Sequence, residues 1–375
     1  MNRLILIDNG FDLAHGLNSK YSDFINSYVK GFIHPVITAS RFKKDIDSPL
    51  FKITLPTDFY ENVTTEVLSM ESAAQVLDAL EFNGVEIEMP NFIKDLVSNI
   101  DSGWVDIEKL YYKNLLSAIK TYNNNITKYN TQVRSRTNID VDPWKDIKEL
   151  NKALTFLKEK LIDYLSKENK RFDNELQNDS LFEKYFKIFV DAQIKINEIE
   201  TPLSLGNIYM LNFNYTKVAE EYYKRIKKHA IPVYLSNIHG NIDDDQNAIF
   251  GYGDETDPKY KEIEYLDEND FLRGFKSFGY NKTSELQKLF LFIKKEHYEV
   301  MVIGHSCGLS DRVMFKEVFE HENCKAIRVY YCDKVADDYD NKIYNISRHF
   351  ENNGLMRKKL ITYDSSRRLP QFDDK

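Results

Sequence analysis

From residue 204 onward, strand-length apolar runs alternate with helix-length amphipathic segments, and a run of the same kind at 4–7 opens the chain. Alternation of this kind calls for a parallel sheet with helices on both faces. The segments 208–211, 233–238, 248–252, 300–303 and 326–332 read as strands, with 360–363 as a last one. Segments 216–230, 283–296, 310–320 and 336–350 read as helices. The opening run stops at Asp8-Asn9-Gly10, as a buried strand does where it enters a loop, and is predicted to join the same sheet. A helix over residues 22–32 follows.

Residues 33–203 have a different rhythm, with sparse turn signals and long helical ones. Asp142-Pro143 makes a helix start, a capping carboxylate followed by proline at the first helical position. Ile147, Leu150, Leu154, Leu157, Leu161 and Tyr164 then keep the three-then-four spacing of a packed helical stripe, and similar stripes run through 107–122 and 181–194. The Asn/Thr-rich stretch 122–138 reads as a flexible connection or a continued polar helix. The expected fold is α/β: a Rossmann-like nucleotide-binding core of residues 1–32 and 204–375, with 33–203 as a large, mainly helical insertion.

Of the 375 residues, 42% are hydrophobic and 29% charged, which is globular material sufficient for two domains. The net charge of −8 disfavours a nucleic-acid partner, which needs a basic surface, and the basic stretch 224–229 reads as a solvated helix face. Cys307, Cys324 and Cys332 supply neither a disulfide framework nor a zinc motif. No apolar run approaches about 18 residues, so no membrane span or signal peptide is expected, and the expected location is the cytoplasm.

Four strand-end segments carry the chemistry. In Asp8-Asn9-Gly10-Phe11-Asp12-Leu13-Ala14-His15-Gly16, the two glycines would let backbone approach a pyrophosphate, or form a plain tight turn. In Asn212-Phe213-Asn214-Tyr215-Thr216, Asn212 reads as a turn former, Thr216 as the cap of the next helix and Asn214 as the functional residue. Asn237-Ile238-His239-Gly240 sets an imidazole, which titrates near neutrality, at the mouth of the sheet. The acidic stretch 243–245 after it reads as a solvated turn. The fourth segment runs from Gly304 through His305, Ser306, Cys307, Gly308 and Ser310 to Asp311. It matches the G-x-S-x-G nucleophile elbow in letters, and Asp333 or Asp337 with His349 would complete a triad. Too little chain follows Ser306 for the remaining strands and both partners, and no HGGG-type oxyanion loop lies upstream. A second phosphate or ribose loop is the preferred reading, with Ser310 capping the next helix and Asp311 in its first turn.

Taken in order, these segments resemble the AbiH family of bacterial abortive-infection, anti-phage proteins. That family carries G-N-G-F-D-x-x-H-G, F-N-Y-T, I-H-G and a late G-H-S-x-x-x-x-D, which stand here as DNGFDLAHG, LNFNYT, NIHG and GHSCGLSD. The similar windows are 4–24, 208–223, 234–254 and 300–319; the insertion is not covered. The blocks are in turn similar to those of sirtuins and sirtuin-like NAD hydrolases, G-A-G-x-S-x-x-x-G-I-P, T-x-N-Y-D, H-G and a late G-x-S. Gly10, Gly16 and Leu17, Asn214-Tyr215, His239-Gly240, and Gly304 with Ser306 fall on those letters.

The resemblance implies a sirtuin-like core that takes NAD as substrate or ligand, with no tightly bound cofactor and no metal. It implies a hydrolase of the nicotinamide–ribose bond. Asn9, Gly10, Phe11, Gly16, Gly304, His305, Ser306 and Asp311 would contact the nucleotide. Asn214 would hold the ribose or the attacking water, His239 would act as general base, and Asp12 would stabilise the positive ribosyl centre or brace its loop. His15 and Tyr21 read as packing or capping residues. Three departures matter. Asp8 replaces the first loop glycine and would repel a pyrophosphate unless turned away or paired. Thr216 replaces the Asp of T-x-N-Y-D. The absence of a four-cysteine zinc module argues against protein deacylation. The first two favour an alternative, a non-catalytic sensor of NAD or ADP-ribose; a Ser306 esterase and an RNA-directed effector are less favoured. The insertion is expected to be a lid, a homo-oligomer interface or the surface for a phage-derived trigger.

Overall fold

A computed structural model describes residues 1–38, 45–56, 67, 70–100, 106–191, 194–196, 199–229, 231–243, 248–364 and 367–374. It forms two compact units. Unit 1 comprises Met1–Ser19, Ile162–Tyr260 and Phe275–Lys375; unit 2 comprises Lys20–Leu161 and Lys261–Gly274. The strands, in chain order, are β1 (Asn2–Ile7), β2 (Asp45–Asp47), β3 (Lys52–Thr54), β4 (Glu86–Glu88), β5 (Ile194–Ile196), β6 (Ile199–Leu203), β7 (Ile208–Asn212), β8 (Val233–Asn237), β9 (Tyr298–Ile303) and β10 (Cys324–Val329).

Unit 1 is built on a five-stranded sheet of order β10-β9-β1-β7-β8, with every neighbouring pair parallel. The order reverses at β1: β7 and β8 extend one side, β9 and β10 the other. Doubly wound sheets take ligands at the carboxyl ends of the strands on either side of such a reversal. The register brings the relevant ends level. Ile7 lies opposite both Asn212 and Ile303, and Asn212 lies opposite Asn237, so four loops leave the same edge side by side.

Every residue of β1 is buried, because the two-residue period of a strand sends alternate side chains into two different cores. Leu4 and Leu6 join Tyr209, Leu211, Val300 and Val302 in one core, covered by helices that supply Leu289, Phe315, Ile346 and Met356. Ile5 and Ile7 join Ile208, Met210, Met301 and Ile303 in the other, with Phe11, Phe172, Phe182, Tyr185 and Tyr222. Each such Leu or Ile contributes about 1.5–3 kcal/mol by leaving water. One charged group is embedded among them: Arg3 on β1, only 1% exposed, pairs with Glu299 on β9 at 2.6 Å and donates to the Phe189 carbonyl at 2.8 Å.

The strands at the edge follow the sequence less closely. Residues 248–252 are not a strand: Gly251 takes φ +148° and turns the chain, leaving a single bridge from Tyr252 to Phe275. Residues 360–363 likewise make one bridge, Leu360 to Ile327, where the chain leaves the helix Asn353–Lys359. Residues 162–190, within the stretch read as insertion, pack Phe172, Leu176, Leu181, Phe182, Tyr185 and Phe189 against the sheet of unit 1.

Unit 2 carries the helices Tyr21–Thr38, Ala73–Phe82, Asn91–Ser98 and Ile107–Ser135, and the helix Lys145–Glu175 begins in it. The Asn/Thr-rich stretch is a continued helix as far as Ser135. The helix expected to start at Asp142-Pro143 starts at Lys145; Asp142 Oδ1 accepts from the Trp144 N–H at 3.0 Å in the turn that leads into it. A small antiparallel sheet, β2-β3-β4, was not expected; its three-residue strands are too short to leave a period in the sequence.

Candidate functional site

The loops after β1 and β9 meet backbone to backbone. The Gly10 N–H donates to the Gly304 carbonyl at 2.9 Å, and Phe11 N–H to Asp8 O at 2.7 Å. A Cβ on Gly10 would lie 2.6 Å from Gly304 O. One on Gly304, which adopts φ +74°, would lie 2.2 Å from Phe11 N. The two glycines are thus required by the approach of one loop to the other. Asn9 accepts from the Ser19 hydroxyl.

The loops after β1 and β7 are joined by side chains. Thr216 Oγ1 donates to Asp12 Oδ2 at 2.6 Å. Thr216 is therefore a partner of Asp12 and not the expected helix cap; the helix Val218–Ile226 begins without a side-chain cap. Asp12 is 1% exposed, and burial, reinforced by the Asp8 charge, pushes its carboxyl up to about 7 against the Thr216 hydrogen bond. The Asn214 amide lies beside it and favours the carboxylate, and Asp12 Oδ1 and Asn214 Nδ2 meet no other polar partner among the described residues. Asn212 shapes this loop, accepting from the Asn214 N–H at 3.2 Å and donating to the Asn214 carbonyl at 3.1 Å.

His239, after β8, sits 3.1 Å through Nε2 from Asp311 Oδ1 and 3.1 Å from the Tyr280 hydroxyl. Asp311 Oδ1 also accepts from Lys276 Nζ at 3.2 Å and from Tyr280 Oη at 3.0 Å. Burial opposes the Asp311 charge, but Lys276 and His239 hold its carboxyl well below the usual range. Burial and the Lys276 cation lower the His239 pKa against the pull of Asp311, so the ring is neutral at pH 7. An anionic Asp311 can only accept, which fixes the ring proton on Nε2 and leaves Nδ1 as a free base. Ser310, expected as a helix cap, donates instead to Asp311 Oδ2 at 3.2 Å.

His305 completes the group. Its Nδ1 accepts from the Cys307 N–H at 2.8 Å and lies 3.5 Å from Asp8 Oδ2, so the neutral ring carries its proton on Nε2, a buried atom with no partner. Phe213 stands edge-on between the two imidazoles, 5.3 Å from His239 and 4.4 Å from His305. The four loops therefore converge, bringing Gly10, Asp12, Asn214, His239, Gly304, His305 and Asp311 to one edge of the sheet. Ser306 belongs to the same loop, its carbonyl accepting from Asn345 Nδ2 at 2.8 Å.

Phe11, His15 and Gly16 face elsewhere. The Phe11 ring packs against Tyr185 and Tyr222. His15 bridges the Phe11 carbonyl (2.7 Å) and the Tyr222 hydroxyl (2.8 Å), and burial lowers it to about 4. Gly16, at φ +84°, closes the short helix Asn9–Ala14. Tyr21 opens the first helix of unit 2. Asp243 pairs with Lys217 at 3.3 Å; Asp244 and Asp245 lie outside the described residues.

The esterase triad is not assembled. His349 is turned to the Cys307 carbonyl at 2.8 Å and lowered by burial to about 4, while Asp333 pairs with Arg368 at 3.0 Å. Besides Gly304, the left-handed residue of the Gly304–Gly308 turn is Cys307 (φ +54°) and not Ser306, and burial pushes the Cys307 thiol up. Lys276 and Tyr280 were missed from sequence: they reach Asp311 across 35 and 31 residues, and a Lys and a Tyr four apart carry no motif. Among the described residues no cluster of three or more His, Cys, Asp or Glu could hold a metal ion, and no helix is long and apolar enough to cross a membrane.

A parallel sheet with its order reversed at β1 and its polar loops gathered at the strand ends defines an α/β protein of the doubly wound kind, with its candidate site at that reversal. The family described as bacteriophage abortive infection AbiH matches residues 4–333, and the chain belongs to it. That membership gives the protein a role in abortive infection by bacteriophage. No curated protein matches the chain.

Proposed function

We propose that the strand-end crevice takes NAD or a related nucleotide as substrate, on a sirtuin-like Rossmann core, and hydrolyses its nicotinamide–ribose bond as the effector step of abortive infection. The observation that carries this reading is His239: a neutral imidazole whose proton is committed to Asp311, with Nδ1 left to take a proton. Nδ1 would accept the proton of water as the oxygen bonds to the ribose carbon. The C–N bond breaks with its electron pair leaving on nicotinamide, and Asp311 stabilises the imidazolium that results. Asp12 and Asn214 stand side by side as an acceptor and a donor, which ribose hydroxyls would engage in place of their mutual contact. With a carboxyl at about 7, Asp12 in its ionised form would also stabilise an oxocarbenium-like centre.

A second reading has its own support. The N–H groups of Gly10 and Phe11 are already committed to protein carbonyls, and Asp8 is an acid where a pyrophosphate would approach. Both work against a pyrophosphate seated in this loop as the hydrolase geometry requires, which leaves a non-catalytic sensor of NAD or ADP-ribose, holding its ligand through other groups, as the second reading. Incubating the full chain with NAD, with and without phage lysate, separates the two. The hydrolase releases nicotinamide, and His239→Gln lowers that release by about 100-fold or more. Binding without release by the wild type, or equal release by the variant, rejects the base role.

A further inference from the structure

Lys276 is 2% exposed, and the reaction outlined above makes no use of it. It lies on the short helix Lys276–Tyr280, one turn before Tyr280, and both side chains end on the same atom, Asp311 Oδ1. Tyr280 also touches His239 Nε2 and stacks its ring 6.1 Å from the imidazole at 13°. We infer that Lys276 and Tyr280 are positioning residues of the His239 base, which hold Asp311 as the anion that keeps the ring proton on Nε2 and Nδ1 free.

The physical case rests on charge balance in a dry site. Asp311 is buried, and an isolated buried carboxylate is strongly disfavoured. Lys276 supplies the compensating charge and Tyr280 a further hydrogen bond. Other groups facing the pair do not replace them: Asp8 adds negative charge, Tyr215 presents its ring 6.3 Å from His239, and His305 is itself lowered by burial. Without the ammonium, the His239–Asp311 pair regains balance by binding one proton. If that proton goes to the ring, His239 becomes an imidazolium. If it goes to Asp311 Oδ1, the oxygen that faces Nε2, the acid donates to Nε2 and the ring proton moves to Nδ1. Both arrangements protonate Nδ1, so both abolish the base.

This inference rests on the reading of His239 as a base, but its test reads the ring itself in the free protein. Imidazole nitrogen NMR of the full chain, with His239 assigned through His239→Gln, reports which nitrogen carries hydrogen. Wild type shows a bare Nδ1 at pH 7. Lys276→Met shows Nδ1 protonated, its titration moved upward by about 1 pH unit or more, and Lys276→Arg restores the wild-type pattern. Tyr280→Phe shifts it in the same direction by less, and carries the test if the methionine variant fails to fold by circular dichroism. A bare Nδ1 in both variants at pH 7, or a protonated one in wild type, overturns the inference. Loss of nicotinamide release with the NMR pattern intact would fault the NAD reading alone.

Discussion

Replacing Asp12 with Asn should make the protein more stable at neutral and alkaline pH, and the size of the effect follows from the site. The Asp12 carboxyl sits at about 7 when folded and at its ordinary 3.8 when unfolded. Between those values the folded chain holds a proton that the unfolded chain has released, so wild-type stability falls as pH rises. The window spans about 3 units at roughly 1.4 kcal/mol each, a loss of about 4 kcal/mol by pH 7 and above. Asn cannot ionise, and its Oδ1 still accepts from Thr216 Oγ1, the main contact Asp12 makes. Urea unfolding of the full chain at pH 5, 6, 7 and 8, followed by circular dichroism, gives the comparison. The variant should gain on wild type by roughly 1.4 kcal/mol per pH unit up to pH 7 and level off beyond. A difference that does not vary with pH, or one in which wild type gains as pH rises, would refute the account of Asp12 as a buried, proton-holding acid.

Gly304→Ala places a Cβ 2.2 Å from Phe11 N at φ +74° and should cost about 2–5 kcal/mol, seen as a lower Tm. Gly31→Ala, with nothing within 4 Å in a helix, should instead gain about 0.5–1 kcal/mol. Arg3→Met leaves Glu299 buried with the longer Arg328 contacts, 3.3 and 3.4 Å, and should cost about 3 kcal/mol in urea unfolding, partly recovered by adding Glu299→Gln. Ser306→Ala should raise the KM for the nucleotide without abolishing nicotinamide release, because His349, the base a Ser306 nucleophile would need, is turned to the Cys307 carbonyl.

The central strands were legible because burial on both faces leaves continuous apolar runs, Leu4–Ile7 in β1 and Val300–Ile303 in β9, with the one ion pair Arg3–Glu299 near their starts. The chemistry-bearing loops were legible because strand ends concentrate glycine, asparagine and histidine. What could not be read was partnership. Thr216 and Ser310 have the sequence context of helix caps, yet each hydroxyl is claimed by a carboxylate: Ser310 by its neighbour Asp311, and Thr216 by Asp12, 204 residues away, on which local rules carry no information. Lys276 and Tyr280 escaped for the same reason. Gly10 and Gly304 were singled out for approach to a phosphate or ribose; the reason the structure gives for both glycines, contact with each other, needed the parallel register of β1 and β9. Residues 248–252 have a strand's apolar content but lack a strand's backbone, since Gly251 bends them out of the sheet.

The loops after β1, β7, β8 and β9 together make the one candidate nucleotide site. A crystal structure of the full chain soaked with NAD or ADP-ribose tests it most directly. The ribose should lie within hydrogen-bond distance of Asn214 or Asp12, with its reacting carbon facing His239. A nucleotide bound at any other surface, or these four loops found apart, would contradict it.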